Sequence, residues 1–473
     1  MTQEERILNI VKKTIQGTEW EGKINLVGGA VRDQIMGEPV DDLDFVVEGN
    51  ISAGLDFATW LCKKWNVFSE GSNPVVFPKY GTASMHYKNI KLEFVAPRKE
   101  KYTPGSRNPV VSDGVLMDDA MRRDSTINSL MRNISTNKIL DLTGKGLSDI
   151  KNGIIRTPLD PDITFKDDPL RMLRTTRFSV KYNFKIEDNV MKSIIKNAKL
   201  INTITSERVR DELNKILMTN NPSKGIQLLK DTGLLTYILE EFNETIGMVQ
   251  NKYHNEDVFQ HSMSVLSNTP GDLKTRLIAL FHDIGKTLTR TVTPEGSVHF
   301  YGHEEASEKM VRQIMTRLKY PGDLIDAVAM GVRQHMILKH GEDDASKLSD
   351  KSLRKFVAAV GNNLENILDV IHADNISHAN ESVMKNQINI VRQRISQLNS
   401  QITKTNAKLP INGNDLISMG LKPGPMIGKI LSAVEDAWYE NPNITREQAI
   451  EIVNRMKVEN NINEIKRIMK AVI

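Results

Sequence analysis

Cysteine is almost absent from this chain of 473 residues, which contains only Cys62. A single cysteine excludes an intrachain disulfide and a zinc site built from cysteines, and we expect Cys62 to lie buried or half-buried in a helix. No apolar run approaches the roughly 20 residues that a membrane-spanning helix needs. The N-terminus has no basic segment followed by an apolar core, so we expect no signal peptide. These absences favour a reducing, cytoplasmic location without membrane contact.

A large excess of one charge is also missing, because 63 lysines and arginines face 59 aspartates and glutamates, for a net charge of +4. Basic patches can form locally, but bulk charge alone does not indicate a nucleic-acid partner. The hydrophobic share of 39% and the charged share of 26% are typical of a globular protein with a sizeable core. The length corresponds to roughly three domains.

The first informative stretch is a glycine turn. An apolar run at 23–27 predicts a strand that leads into Gly28 and Gly29, and the pattern from 30 to 36 predicts a helix. Because glycine has no Cβ, backbone N–H groups at such a turn and helix start can bind a phosphate. A glycine pair by itself more often marks an ordinary turn.

Acidic residues follow on two predicted strands. Asp42 and Asp44 are two positions apart, so their carboxylates point to the same face of a strand. A later strand at 91–95 offers Glu93 as a third carboxylate. Carboxylates grouped beside a phosphate can bind one or two Mg²⁺ ions. The competing interpretation is a solvated acidic pair.

Two further stretches carry arginines. Arg122, Arg123 and Asn128 can meet phosphate and ribose oxygens, since the guanidinium fork matches phosphate geometry; a solvated, basic helix start is the alternative. In the segment 167–178, a helix predicted to begin at Asp167-Asp168-Pro169 would place both aspartates three and four residues before Arg171. In isolation this spacing indicates an ordinary intrahelical ion pair.

Histidine is unevenly distributed, because nine of the ten histidines lie between His254 and His378. Imidazole and carboxylate ligands suit Mn²⁺, Fe²⁺, Ni²⁺, Co²⁺ or Zn²⁺. A lone histidine is more often a hydrogen-bonded core residue, but the clustering favours a metal site.

The pattern of elements predicts an α+β protein. Residues 1–145 alternate between strand and helix, and the polar segment 98–115 is predicted to be a long mobile loop. Beyond it the pattern is helical, without repeats or sustained heptads. These patterns divide the chain into a mixed α/β part, a helical part, a histidine-rich helical part and a second helical part, at 1–145, 146–250, 251–379 and 380–473.

The order of strand, glycine turn, helix, Asp-x-Asp and acidic strand resembles the nucleotidyltransferase superfamily that includes DNA polymerase beta. The segments 26–33 and 42–44 are similar to its tRNA nucleotidyltransferase and poly(A) polymerase branch. The segments 122–128 and 167–171 resemble that branch's Arg-Arg-Asp and acidic-Asp-x-x-Arg motifs, and 206–213 resembles the motif that follows them. The histidines have the order of the HD metal-dependent phosphohydrolase superfamily. The whole chain therefore resembles bacterial-type (class II) CCA-adding enzymes with an HD domain.

This resemblance implies a catalytic head with a five-stranded mixed sheet at 1–145, and then helical regions only. These would be a neck and body that selects nucleotides and binds RNA at 146–250, an HD domain at 251–379 and a tRNA-binding tail at 380–473. It implies addition or repair of the 3′-terminal CCA of tRNA from CTP and ATP, with release of pyrophosphate. Asp42 and Asp44 would bind Mg²⁺, with Glu93 completing the catalytic set. The HD domain would bind a transition metal such as Ni²⁺, Mn²⁺, Co²⁺ or Fe²⁺ and hydrolyse 2′,3′-cyclic phosphates. Its implied ligands are His261, His282, Asp283, His303, His335 and Asp374. The implied nucleotide-binding residues are Gly28, Gly29, Arg32, Arg123, Asp124, Asn128, Asp167, Asp168, Arg171, Arg174 and Arg177.

Within this set, Asp168 and Arg171 are expected to read the base, and Asp167 to support Arg171. Three alternatives remain open: a poly(A) polymerase, an enzyme that adds only CC or only A, and a catalytically silent RNA-binding protein. The sequence specifies no oligomeric state.

Overall fold

The computed structural model describes residues 2–65, 74–78, 81–101, 110–250, 256–338, 348–378, 386–402 and 409–458. The chain divides into two units, the first formed by Met1–Glu244 and Ile314–Tyr320 and the second by Thr245–Gln313 and Pro321–Ile473. The change of unit at residue 245 lies close to the predicted start of the histidine-rich domain at 251. All of the predicted domain boundaries stay predictions. Among the described residues, no helix combines the length and apolar character needed to cross a membrane.

Alternating strands and helices form the first part of unit 1, as the change between two-residue and helical periodicity predicts. Its elements are α1 (Gln3–Ile15), β1 (Ile24–Val27), α2 (Gly29–Met36), β2 (Asp42–Val47), α3 (Ala53–Trp65), β3 (Val75–Phe77), β4 (Thr82–Tyr87), β5 (Ile90–Val95), β6 (Arg98–Lys101), β7 (Val110–Asp113), α4 (Leu116–Met121), β8 (Met131–Asn133) and β9 (Ile139–Leu140).

A seven-stranded mixed sheet in the order β3-β4-β5-β2-β1-β8-β9 organises these elements. The pair β2–β5 is parallel, whereas the other neighbours are antiparallel. The five strands implied by the resemblance are therefore too few, because the short strands β3 and β9 extend the sheet at its two edges.

Apolar side chains on the inner face of the sheet form the core of this part. Phe45 of β2 stacks on Phe94 of β5 with ring centroids 5.1 Å apart, and Phe57 of α3 meets Phe94 edge-on at 5.3 Å. Cys62 of α3 belongs to the same core and is 1% exposed, which confirms the expected burial. The opposite face of β2 remains open for its acidic residues.

The segment predicted to be a mobile loop at 98–115 is partly ordered, so that prediction is wrong at both ends. Strands β6 and β7 pair in antiparallel register from Arg98↔Asp113 to Lys101↔Val110. Backbone hydrogen bonds between β6 and β7 order the two ends of this segment, and side-chain periodicity carries no signal for such pairing. Residues 102–109 lie outside the described part.

Helices form the rest of unit 1 up to residue 244, apart from one pair of two-residue parallel strands. In chain order the elements are α5 (Gly146–Asn152), β10 (Ile154–Ile155), α6 (Pro161–Asp167), α7 (Leu170–Tyr182), β11 (Lys185–Ile186), α8 (Asp188–Asn197), α9 (Ser206–Leu217), α10 (Pro222–Asp231) and α11 (Leu235–Ile238).

From residue 245 onward the chain is again mainly helical, with one two-residue hairpin. The elements are α12 (Val258–Ser267), α13 (Leu273–Phe281), α14 (Lys286–Thr289), β12 (Thr291–Val292), β13 (Val298–His299), α15 (His303–Arg317), α16 (Gly322–Gln334), α17 (Asp350–Val360), α18 (Leu364–Ile376), α19 (Gln387–Ile402), α20 (Gly413–Ser418) and α21 (Pro425–Glu440).

Candidate functional site

Three carboxylates meet on the open face of the sheet. The parallel register pairs Asp44 of β2 with Glu93 of β5 and Asp42 with Lys91. Asp42 and Asp44 are exposed while Leu43 between them is buried, so both carboxylates lie on one face, as predicted. The Lys91 ammonium binds Glu93 Oε2 at 2.8 Å. Sequence reasoning missed Lys91, although its two-residue spacing from Glu93 places both on the same face.

The electrostatics of this group suit a divalent cation. Asp44 keeps solvent-accessible surface, but the protein atoms around its carboxylate desolvate it. This desolvation and the nearby carboxylates of Glu93 and Asp42 raise the pKa of Asp44 to about 6, against the opposing effects of Arg123 and Lys91. A divalent cation bound by these oxygens would offset that mutual repulsion. The carboxylates present therefore fit the divalent metal that nucleotidyltransferases generally use.

The glycine turn allows a close approach between backbone and side chain. Gly28 has φ of 71°, and a Cβ added there would lie 2.8 Å from Nη1 of Arg123. Both the left-handed backbone and the missing side chain are therefore required at this position. Gly29 begins α2 directly beside it.

Arg32 is held rigidly in the next turn of α2. Its Nε and Nη2 each donate to one Asp33 carboxylate oxygen at 2.8 Å, and its Nη1 donates to the Asn128 side chain. Arg32 and Asp33 are both buried. This bidentate geometry leaves little freedom to the guanidinium, so Arg32 is oriented in the absence of a ligand.

A buried acid that sequence reasoning missed organises the adjacent arginines. Asp119 is 0% exposed and accepts hydrogen bonds from Arg122 and from Nε and Nη2 of Arg123, the latter two at 3.1 and 2.8 Å. Burial alone would raise the pKa of Asp119, but Arg123 and Arg122 lower it below its ordinary value. The spacing of three and four residues was the available signal.

Asp124 is also buried and fully engaged. It accepts from Arg174 Nε at 2.6 Å and from Asn128 Nδ2 at 2.8 Å. Although burial raises the pKa of the Asp124 carboxyl, Arg174 and Asn128 hold it far below its usual range. Asp124 therefore orients two neighbours that line the same cavity.

The predicted ion pairs of Arg171 do not form. Asp167 ends α6, Asp168 is extended with φ of −144°, and α7 begins only at Leu170. Because no continuous helix joins these residues, the spacing rule does not apply, and among the described residues neither aspartate forms an ion pair with Arg171. Asp168 instead accepts from Arg208 Nη2 at 3.0 Å.

A cavity of about 450 Å³ collects most of the predicted residues, a size suited to a small organic ligand. Asp42, Glu93 and Asp167 are not among its lining residues, whereas Leu170, Phe178 and Arg208 are additional. The lining consists of Gly28, Gly29, Arg32, Asp44, Arg122, Arg123, Asp124, Asn128, Asp168, Leu170, Arg171, Arg174, Arg177, Phe178 and Arg208. Seven arginines in this set indicate a polyanionic ligand.

A second cluster lies within unit 2, where the candidate histidines and aspartates meet. Ligand atoms of His261, His282 and Asp283 lie within 4.8 Å of one another, as do those of Asp283, His303 and His335. Asp283 thus belongs to both groups, with its Oδ2 3.1 Å from His282 Nε2 and its Oδ1 3.2 Å from His303 Nε2.

Asp374 completes the cluster through its Oδ1, which lies 3.1 Å from His261 Nε2. All six candidate ligands are buried. Of the remaining histidines in this region, His254 and His340 lie outside the described residues.

Backbone carbonyls orient three of the imidazoles. Nδ1 of His282, His303 and His335 lies 2.8, 2.8 and 2.6 Å from a carbonyl oxygen three residues earlier. An Nδ1–H donor leaves the Nε2 lone pair facing the cluster, which is the tautomer a metal requires. Burial, together with His282 and His303, holds the pKa of His335 well below its usual value, so this ring is neutral and able to bind a metal.

Lys286 is a buried neighbour to which sequence reasoning assigned no role. Its Nζ donates to Asp283 Oδ2 at 2.6 Å and to Gln250 Oε1 at 2.7 Å. Its position three residues after Asp283, at the start of α14, was the available signal.

Family models match three parts of the chain. They are described as "Poly A polymerase head domain" over residues 24–156, "Probable RNA and SrmB- binding site of polymerase A" over 183–246, and "tRNA nucleotidyltransferase domain 2 putative" over 299–453. Together with the carboxylate group and the arginine-lined cavity, they define the chain as a nucleotidyltransferase.

Similar proteins narrow this class. A "Multifunctional CCA protein" of Neisseria meningitidis serogroup C is 34% identical over 66% of this chain and 72% of its own length. The mitochondrial CCA tRNA nucleotidyltransferase of Saccharomyces cerevisiae is 28% identical over 90% of this chain and 87% of its own length. The chain belongs to the family of CCA-adding tRNA nucleotidyltransferases.

Solved structures of similar proteins share the fold of this chain. The CCA-adding enzyme of Bacillus stearothermophilus, in complex with CTP, superposes with a TM-score of 0.67 at 20% identity and covers 98% of this chain and 100% of its own. The Thermotoga maritima enzyme complexed with tRNA reaches a TM-score of 0.58 at 20% identity, covering 96% of each chain.

Proposed function

We propose that this protein adds or repairs the 3′-terminal CCA of tRNA, using CTP and ATP and releasing pyrophosphate. The observation that carries the proposal is the single cavity that joins the glycine turn, Asp44, seven arginines and Asp168. A phosphate-binding turn, a carboxylate for a metal and a polar base-reading pair are the three requirements of nucleotide transfer. Membership of the family supports the choice of tRNA as acceptor.

The residues divide by chemistry. Gly28, Gly29, Arg32, Arg123, Arg174 and Arg177 would bind the triphosphate, because fixed guanidiniums stabilise its charge without reorganising. Asp42 and Asp44 would hold Mg²⁺, which offsets charge on the attacking and leaving oxygens when bound. Glu93 would complete the carboxylate set. Once its ion pair with Lys91 is broken, Glu93 would accept the proton of the tRNA 3′-hydroxyl. The hydroxyl attacks the α-phosphate in line with the departing pyrophosphate.

Asp168 and Arg171 would read the base. Cytosine presents the N4 donor and the N3 acceptor, and adenine presents N6 and N1 in the same polarity, whereas uracil reverses both positions. A carboxylate that accepts and a guanidinium that donates therefore match C and A but not U. Two observations support this assignment: Arg171 lines the cavity and is 9% exposed, and Arg208 Nη2 donates to Asp168 Oδ2 at 3.0 Å.

The finer partner and location assignments stay predictions. The helical regions after residue 146 would bind tRNA through the shape of its backbone. A cytoplasmic location stays a prediction, because the yeast relative is described as mitochondrial. Addition of only CC or only A stays an alternative, as does poly(A) synthesis.

The test supplies tRNAs that end before C74, after C74, after C75 and after A76 with each nucleotide, and sequences the 3′ ends. We expect C, C and A to be added in order and nothing after A76. Asp44→Ala should lower the rate at least a hundredfold, about 2.7 kcal/mol, whereas Asp41→Ala, an exposed neighbour outside the strand, should leave it unchanged. Homopolymeric A tails or termination after CC would reject the proposal.

A second function is favoured by the oriented imidazoles of unit 2. We propose that His261, His282, Asp283, His303, His335 and Asp374 bind a transition metal such as Mn²⁺, Fe²⁺, Ni²⁺ or Co²⁺, and that this site hydrolyses 2′,3′-cyclic phosphates. Such a metal supplies a nucleophilic water and polarises the phosphate.

Its test compares wild type with Asp283→Asn. The variant should lose bound metal by elemental analysis and lose phosphodiesterase activity, while CCA addition continues at the wild-type rate. Wild type without metal after purification in metal-supplemented buffer would reject the site, and metal without turnover would reject the hydrolase.

A further inference from the structure

One aromatic ring lies against three of the arginines in the cavity. Phe178 on α7 is 4% exposed and lines the cavity itself. The Cζ atoms of Arg32, Arg174 and Arg177 lie 5.3, 5.5 and 4.3 Å from its ring centroid. All three distances are within the range of a cation–π contact.

Each of these arginines also has its own carboxylate. Arg32 binds Asp33, and Arg174 binds Asp124. Arg177 Nε donates to Glu212 Oε2 at 2.7 Å. Each guanidinium therefore lies between a carboxylate and the shared ring of Phe178.

This arrangement answers an electrostatic problem. Three cations that converge on one cavity repel each other when no anion is bound. Carboxylates oppose that repulsion but also compete with an incoming phosphate for the same donors. An aromatic face attracts guanidiniums without occupying their N–H groups, so it can hold the cations close while their donors stay available.

Tyr182 extends the aromatic surface by one helical turn. Its ring lies 6.2 Å from that of Phe178 with an interplanar angle of 15°, and Arg32 Cζ lies 4.7 Å from its centroid. Its hydroxyl donates to Asp33 Oδ1 at 3.0 Å. Burial and the Asp33 carboxylate raise the pKa of Tyr182, so the hydroxyl remains a donor. Tyr182 thus contacts both members of the Arg32–Asp33 pair.

We propose that Phe178, supported by Tyr182, is a positioning residue that presets the three arginines for a polyphosphate chain before the nucleotide binds. The inference rests on the proposed function in that the polyphosphate is the triphosphate of CTP or ATP. It assigns Phe178 no contact with the base. Loss of the Phe178 ring should therefore weaken the binding of CTP and of ATP by the same factor and leave base selection unchanged.

The experiment measures binding of inorganic tripolyphosphate to the full chain by calorimetry. Phe178→Leu keeps apolar bulk but removes the ring face, and should weaken binding about tenfold. Phe178→Tyr keeps the face and should restore most of the affinity. Tyr182→Leu should weaken binding about threefold. Phe57→Leu is the matched control, because Phe57 is equally buried and its ring contacts are Trp20, Trp60 and Phe94.

Thermal unfolding midpoints separate positioning from packing. Phe178→Leu and Phe57→Leu should unfold at similarly lowered temperatures, yet only the former should lose tripolyphosphate affinity and raise KM for CTP and ATP by the same factor. Unchanged affinity in Phe178→Leu, or equal losses in both variants, overturns the inference. A wild type that binds tripolyphosphate but does not extend tRNA rejects the proposed function, and the binding series still decides the role of Phe178.

Discussion

Replacement of Arg171 by alanine tests the base-reading pair directly. Arg171 lines the cavity, is nearly buried, and forms no ion pair with Asp167 or Asp168 among the described residues. Its N–H donors are therefore free of those two acids and available to a ligand. Arg171→Ala should remove the donor that matches N3 of cytosine or N1 of adenine, with little effect on tRNA affinity.

The magnitude follows from the contacts. A bidentate contact to a base contributes about 1–3 kcal/mol of discrimination, or roughly 5- to 150-fold, so the CTP-over-UTP preference should fall by a factor in this range. Arg208→Ala acts indirectly, by releasing Asp168 from a partner at 3.0 Å. The Arg208–Asp168 pair is partly exposed, so its loss should reduce the free energy of discrimination between CTP and UTP by about 1 kcal/mol, which is roughly fivefold.

The assay measures single-turnover addition of CTP and UTP to tRNA that ends before C74. Arg171→Lys retains the charge but loses the planar fork, and should discriminate nearly as poorly as Arg171→Ala. Arg210→Ala is the matched control, because Arg210 lies on the same helix as Arg208, pairs with Asp211 at 2.8 Å and does not line the cavity. An unchanged CTP:UTP ratio in Arg171→Ala would refute the base-reading role, as would an equal change in Arg210→Ala.

Three further perturbations address the metal group, the glycine turn and a buried acid. Lys91→Met removes the cation that pairs with the carboxylates, so calorimetry should show Mn²⁺ binding tighter by roughly fivefold, and unchanged affinity would contradict the pairing. Gly28→Ala should raise KM for CTP and ATP about tenfold by displacing Arg123, whereas Gly17→Ala, with φ of 70° and open space around it, should not. Asp124→Asn should lower the free energy of unfolding by about 2 kcal/mol at pH 7. This value is smaller than for a fully buried ion pair, because the arginine partner of Asp124 is partly exposed. The pKa of Asp124 is depressed in the folded state. The Asp124 carboxylate therefore contributes its full free energy of stabilisation at pH values above its ordinary pKa of about 4, and this contribution is lost as the pH falls below that value. Urea unfolding of both proteins at pH 7 and pH 3 should show a smaller difference at pH 3, and an equal difference would contradict the assignment.

Local patterns in the sequence were enough to predict the carboxylate group and the histidine cluster. A strand side chain points to alternate faces, so the spacing of Asp42 and Asp44 already places both on one face. The glycine turn was predicted from the pair Gly28-Gly29 between an apolar run and a helical pattern, and the structure gives Gly28 a φ of 71°. For the candidate metal site, the clustering of histidines was the local signal and the resemblance supplied the individual ligands. The structure brings His261, His282, His303 and His335 together around Asp283.

The partners of each charged group depended on tertiary structure. Spacing assigned Asp168 to Arg171, but a break between α6 and α7 directs Asp168 to Arg208, which lies 40 residues further along the chain. Similarly, Asp124 finds Arg174 at a separation of 50 residues. Spacing rules hold only within a continuous helix, and no local pattern in a single sequence specifies which distant guanidinium a buried acid will meet.

The same limit explains why Phe178 and Lys91 were missed. By residue type Phe178 is an apolar core residue, and only the packing of α2 against α7 brings Arg32 to the ring that Arg174 and Arg177 also contact. Lys91 lies beside the carboxylates only because the parallel register of β2 and β5 pairs it with Asp42. The sequence by itself determined which chemical groups are present and which face of each element carries them, because those properties follow from local backbone geometry. Tertiary structure decided how those groups pair, because pairing depends on the distances between elements far apart in the chain.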